Sequence, residues 1–299
     1  MSYRIRRKES IEIALRRIAL EQIDAMLKSA DSDGAPGDVA HAIRKRCKKL
    51  RALLRLVRGS LDGYGREQRA ARDVARRLAP VRDAAVRLDT LDRLTDGHDG
   101  LNQSDAETLR NWLDASRTNA LHALAHEEVR AEVRIALREQ RERVASWTLD
   151  DTSFSAIRDG LSRTYRRGRD GARACASTPT PDGLHELRKR VKYHRFQLDL
   201  LRGLWRGPLS AASDEAGALA EVLGDHHDAA VLVDALRAHI DDDAIRDAAA
   251  RAIPLLEARM RELERRALAP AARLFAEKPK AFERRMRAYW RAWRLDELV

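Results

Sequence analysis

HAIRKRCKKLRALLRLVR, residues 41–58, returns later in the chain as HELRKRVKYHRFQLDLLR, residues 185–202. The offset is about 144 residues, and His, the Arg-Lys-Arg triplet, Lys, Arg, Leu, Leu and Arg coincide without a gap. Some forty residues further on, RLAPVRDAAVRLDTL from Arg77 aligns with VLGDHHDAAVLVDAL from Val222, which places Asp83 opposite Asp228 and Arg82 opposite His227. A weaker echo lies upstream, where ALRRIALEQIDAML from Ala14 lies on GLSRTYRRGRDGAR from Gly160 and pairs Arg17 with Arg163. Matches in the same order indicate a duplicated unit. We place the seam near Asp150, with one helical bundle over residues 1–150 and a second over 151–299, together forming one domain.

At 100° per residue, the first repeated segment sorts into two sides. Ile43, Cys47, Leu50, Leu54 and Val57 gather on one, and His41, Arg44, Lys45, Lys48, Arg51 and Arg55 on the other, with Arg46 and Lys49 at its flanks. No acidic residue occurs between positions 41 and 58. A solvated helix face ordinarily interleaves Glu with Lys at i, i+4, which relieves repulsion. An unmixed stripe repels itself unless an external anion neutralises it. The second copy buries Leu187, Val191, Leu198 and Leu201 and presents His185, Arg188, Lys189, Lys192 and Arg195. It is less pure, because Asp199 stands where Arg55 stands in the first copy. If the two halves pair about a twofold axis, the stripes face each other across a groove.

Composition frames this reading. In 299 residues, 58 Lys and Arg oppose 47 Asp and Glu, giving a net charge of +11. Such a balance calls for an acidic partner: nucleic acid, an anionic membrane surface or a phosphate polymer. Five of the nine lysines fall within the two repeated segments. Apolar residues (44 %) recur at helical spacing, while Gly (15) and Pro (8) are few, so the expected fold class is all-α. Helices are expected over 8–29, 38–59, 66–79, 81–95 and a broken 104–146. In the second half they are expected over 153–176, 181–204, 211–223, 226–240, 243–268 and 279–295, with loops around 31–36, 97–100 and 177–181. Two distant cysteines, Cys47 and Cys175, suggest neither a disulfide framework nor a zinc site. No apolar run has the length of a membrane span, and no long apolar stretch follows the first basic residues, so a soluble cytoplasmic protein is expected.

Other constellations read as structural. His226 and His227 point 100° apart and suit no common ion, and Asp225 reads as the cap of a helix that follows Gly224. His122 and His126 lack the glutamate placement of either zincin order. His194 replaces Leu50 on the apolar side and reads as a core histidine. The tail AFERRMRAYWRAWRL reads as a final packed helix. No phosphate-cradling glycine loop, nucleophile elbow or Cys–His pair is visible, and no cofactor or metal is expected.

At the segments HAIRKRCKKLRALLRL, HELRKRVKYHRFQLDLL, GLSRTYRRGRDGARACA and LGDHHDAAVLVDAL the chain resembles the CHAD family, named for its conserved histidines and helical fold. The resemblance spans nearly the whole sequence. It implies two pseudo-symmetric antiparallel helical bundles around a basic central groove or pore. It also implies binding of inorganic polyphosphate without a catalytic step, with polyphosphate-granule association in some members. By motif position the implied ligands are His41, Arg44, Lys45, Lys48, Arg51 and Arg55, then His185, Arg188, Lys189, Lys192 and Arg195, together with Arg17, Arg163, Arg82 and Tyr165; Lys49, at the flank of the stripe, is a further candidate. The alternating-glutamate triphosphatase segment that some relatives carry is absent from this sequence. Nucleic acid is the alternative partner, although Tyr193 and Phe196 are the only aromatics in either repeated helix to stack on a base.

Overall fold

The computed structural model describes residues 3–95, 100–125, 127–238 and 241–295. Among these there are eleven α-helices and no strand; an isolated antiparallel bridge joins Leu61 to Leu149. The helices are α1 (Ile11–Ala30), α2 (Pro36–Leu56), α3 (Tyr64–Arg77), α4 (Ala79–Thr95), α5 (Gln103–Ala125), α6 (Glu127–Val144), α7 (Ser155–Ser177), α8 (Pro181–Leu201), α9 (Arg206–Arg237), α10 (Asp243–Leu274) and α11 (Pro279–Leu295). The expected all-helical class is what the chain adopts.

Local chemistry sets several starts. Ser10 caps α1 by accepting from the Ile13 amide at 3.2 Å, and Thr180 caps α8 by accepting from Gly183 at 3.0 Å. Pro36 and Pro181 occupy the first turns of α2 and α8, where no amide donor is needed. The apolar sides predicted for these two helices are buried: Ile43, Cys47, Leu50 and Leu54 in α2, and Leu187, Val191, Leu198 and Leu201 in α8.

Two expectations fail in the second half. The helices expected over 211–223 and 226–240 form one continuous helix, α9, so Gly224 does not break it and Asp225 does not cap anything. A helical glycine costs only about 1 kcal/mol, and burial of Leu223, His226, Ala229 and Leu232 on the same helix outweighs it. Asp225 instead pairs with Arg93 of α4 at 2.7 Å. Helix α10 likewise runs past 268 to Leu274 with Pro254 and Pro270 inside it. The break expected within 104–146 falls at residue 126, outside the described residues; helix is present on both sides of it, over Gln103–Ala125 and Glu127–Val144.

The helices pack largely with their neighbours in sequence, but the contacts that position the site cross residue 150. Helix α2 packs on α7 and α8, α4 on α9, and α5 on α10. The principal core contains Ile43, Leu50 and Leu54 from the first half with Leu161, Leu187, Val191 and Met286 from the second. A smaller core joins Leu91 and Leu109 to Leu232, Leu236 and Leu256. At the α2–α7 crossing a Cβ on Gly160 would lie 2.1 Å from the Leu56 carbonyl oxygen, so only glycine permits that approach. The N-terminal segment also reaches across: the Ile5 amide donates to Leu200 O at 2.9 Å and the Tyr3 hydroxyl to Lys49 O at 2.7 Å. The aromatic tail packs, with Phe282, Met286, Trp290 and Trp293 of α11 buried.

Candidate functional site

Helices α2, α4, α8 and α9 enclose a cavity of about 530 Å³. Helix α2 lines it with His41, Arg44, Lys45, Lys48 and Lys49, and α4 with Arg82 and Asp83. Helix α8 contributes Arg188, Lys192, Arg195, Phe196 and Asp199, and α9 contributes His227 and Asp228. Eight Lys and Arg side chains thus face three aspartates around one solvent-open cavity. A second cavity of about 630 Å³ shares Arg82, Arg188, Lys192, Arg195 and Asp228 with the first. There the added Asp89, Asp92, Glu221 and Asp225 balance the charge.

Repeat-equivalent ion pairs hold the two deepest arginines. Arg44 lies 3.9 Å from Asp83 and donates to the Ala75 carbonyl at 2.5 Å; Arg188 lies 3.7 Å from Asp228. The Nε of each is buried without a hydrogen-bond partner among the described residues. Helix α9 makes room for the guanidinium groups with glycines. A Cβ on Gly217 would meet Arg195 Cζ at 2.9 Å, and one on Gly224 would meet an Arg188 guanidinium nitrogen at 3.3 Å.

Crowding of like charges shows in the titrating groups. Enclosure by protein, then Arg44, Arg188 and Arg82, push Lys48 down to about 8. Lys48 still presents much of its surface, because it opens onto the cavity. Burial, then Arg188 and Lys48, push Lys192 down to about 7. His41 is lowered by burial and then by Arg82, Lys48 and Lys45. His185 does not line the cavity; its ring lies on His227 with centroids 3.9 Å apart. Burial, then His185 and Arg188, push His227 down to about 3, while burial and then Lys189 and Arg188 lower His185. Burial raises the Asp228 carboxyl despite its cationic neighbours. Lys49 stands 4.9 Å from the Tyr3 ring centre. The arrangement is an array of donors under mutual repulsion, which an anion relieves. Among the described residues, no group of three or more His, Cys, Asp or Glu could hold a metal ion.

The structure brings together His41, Arg44, Lys45, Lys48, Lys49, Arg82, Arg188, Lys192 and Arg195. It sends the other sequence candidates elsewhere. Arg17 is saturated by Glu9 (2.6 and 2.8 Å), Glu21 (2.9 Å) and the Arg4 carbonyl (2.8 Å), outside the cavity. Tyr165 is a core residue, 2 % exposed, and stacks on Phe282 at 4.0 Å beside Phe275 and His194. Lys189 turns to Glu186 one turn back. Arg51 faces Gln68, its Nε 3.4 Å from the side-chain oxygen. Arg55 and Arg163 meet in a separate pocket with Arg58, Thr164, Arg167 and Arg190. His194 is buried, as its apolar-side position predicts, and burial pushes it down to about 3. His226 is buried and His122 is exposed; His126 lies outside the described residues. Of the lining residues that the basic stripe did not mark, Asp83 and Asp228 carried a signal in the aligned Asp-Ala-Ala-Val segments. Phe196 and His227 carried little.

The family model for the CHAD domain matches residues 17–237. Among solved structures, the crystal structure of the CHAD domain from the plant Ricinus communis is 20 % identical, with a TM-score of 0.67 over 93 % of this chain and 96 % of that one. PptA from Streptomyces chartreusis is 18 % identical, with a TM-score of 0.66 over 89 % of this chain and 100 % of that one. Comparison with curated protein sequences finds no significant match. At these identities the two structures speak for the fold, while the family model covers most of the sequence, and on that ground the chain belongs to the CHAD domain family.

Proposed function

We propose that this protein binds inorganic polyphosphate in the α2–α4–α8–α9 cavity and does not turn it over. The observation that carries this reading is the concentration of eight Lys and Arg side chains, two of them lysines with depressed affinity for their protons, around one cavity. Arginine offers planar paired donors to phosphoryl oxygens, and lysine a point charge that follows a flexible chain. Polyphosphate carries about one charge per unit and no base to be read, which suits a lining with Phe196 as its single aromatic residue. Family membership favours the same ligand. In a cell that stores the polymer, such binding brings the protein to polyphosphate granules, which a fluorescent fusion would reveal.

Nucleic acid is the competing reading, and a wall with Phe196 as its one Phe, Tyr or Trp side chain counts against it. The test is direct titration with long-chain polyphosphate against RNA and DNA of matched charge at physiological salt. Preference for polyphosphate supports the proposal. Equal competition by nucleic acid overturns it in favour of a general polyanion binder.

A further inference from the structure

Arg55, Arg58, Arg163, Arg167 and Arg190 line a small pocket of about 10 Å³, whose mouth rather than interior would meet an anion and which shares no lining residue with the main cavity. It lies where the C-terminal end of α2 meets α7 and α8, and among the described residues no carboxylate lines it. Arg190 spends one edge on Glu186 at 3.0 Å. Asp159, which packs against Gly59, is bound by Arg158 at 3.0 Å. Arg58, Arg163 and Arg167 form no ion pair with a described residue. Arg55 lies over the Tyr193 ring at 4.3 Å, and its Nε is buried without a hydrogen-bond partner among the described residues. Stacking fixes the plane of that guanidinium, and planar guanidinium groups suit oxyanions.

Comparison of the repeats shows that this excess of arginine is not generic. In the first copy Glu21 stands where Arg167 stands in the second, and with Glu9 it neutralises Arg17, the counterpart of Arg163. Asp199, the counterpart of Arg55, accepts from Ser213 at 2.7 Å. The same corner is therefore charge-compensated on one side of the molecule. On the other side it carries five uncompensated or half-compensated arginines. Their mutual repulsion is visible in Arg58, lowered by burial and then by Arg163, Arg55 and Arg167.

We infer that this arginine pocket is a second oxyanion subsite, which takes phosphoryl groups of the polyphosphate chain held in the main cavity. The inference rests on the function proposed above. Helix α2 supplies the track. Lys48 of the main cavity and Arg55 of the pocket both stand on it, seven residues and about 10 Å apart along the axis. A short phosphate oligomer occupies one subsite at a time, whereas a long chain engages both and gains the advantage of tethering.

Two measurements test this. First, the Arg55 Nε–Hε resonance is followed by NMR during titration with tripolyphosphate. It shifts saturably in the wild type and not in Arg163→Glu/Arg167→Glu; absence of a shift in the wild type overturns the subsite. Second, long-chain polyphosphate affinity is measured for the wild type and for that double variant, whose two altered side chains are exposed. A loss of at least tenfold, with circular dichroism unchanged, supports the subsite. Equal affinities overturn it and leave the main cavity's assignment standing. Should the wild type bind no long-chain polyphosphate, the functional reading falls, and the NMR titration alone decides the subsite.

Discussion

Replacing Lys48 and Lys192 together by alanine gives the sharpest test of the cavity, because these two repeat-equivalent side chains stand on facing helices with no carboxylate of their own. Eight Lys and Arg residues against three aspartates leave about five net charges for a ligand to neutralise. For a single-stranded polyanion each neutralised charge contributes about 0.7 to the slope of log affinity against log salt, so the cavity's own share of the slope is about −3.5. Between about 50 and about 200 mM salt that share amounts to about a hundredfold loss of affinity in the wild type. In the double variant the share falls to about −2, or about twentyfold. Fluorescence anisotropy of end-labelled long-chain polyphosphate at several salt concentrations, near pH 6 where both lysines are charged, measures this directly. Lys280→Ala, on the exposed start of α11, is the control and keeps the wild-type slope. A double variant whose slope and affinity match the wild type refutes the assignment of the ligand to this cavity.

Proton coupling follows from the same two lysines. In the empty protein Lys192 and Lys48 lose their protons around about 7 and about 8, and a bound anion restores them. Affinity should therefore fall as pH rises above about 7, with proton uptake on binding visible as a buffer-dependent heat in calorimetry. For the unliganded fold the sign is opposite: depressed lysines bind fewer protons than in the unfolded chain, so their contribution to stability improves from about pH 7 toward the unfolded lysine range, as chemical denaturation across pH would show. Gly217→Ala drives a methyl group into the flexible end of Arg195; several-fold weaker polyphosphate binding is expected in titration, without loss of thermal stability. Gly160→Ala meets the backbone carbonyls of Arg55 and Leu56 instead, which cannot swing aside. It should cost about 3 kcal/mol in urea unfolding.

The period of the apolar residues made α2 and α8 legible, and with them the stripes that form the cavity's two longest walls. The fate of individual basic residues was less so. Arg17 and Arg163 read alike as aligned arginines, yet Glu21 at i+4 was in plain view as a partner for Arg17, while Glu9 reaches it only through the turn before α1. Lys189 was similarly compromised by Glu186 three residues earlier. Tyr165 stands in a strongly basic helix and gives no local sign that Phe275 and Phe282, more than a hundred residues on, will enclose it. Gly224 read as a breaker because a glycine beside aspartate and histidines resembles a loop. Its role, clearance for Arg188, depends on a helix from another part of the chain.

The core that crosses residue 150 has a thermodynamic consequence. Ile43, Leu50 and Leu54 lie under the cavity wall and share their packing with Leu187 and Val191 beneath the opposite wall. Neither half can melt without exposing the apolar side of the other, so the repeats unfold in one cooperative transition rather than as two beads on a string. A ligand that bridges both walls acts on that single equilibrium and stabilises the whole chain by mass action. The resting protein is thus at its least stable when its cations have nothing to hold, and the midpoint of that single transition climbs as ligand is added.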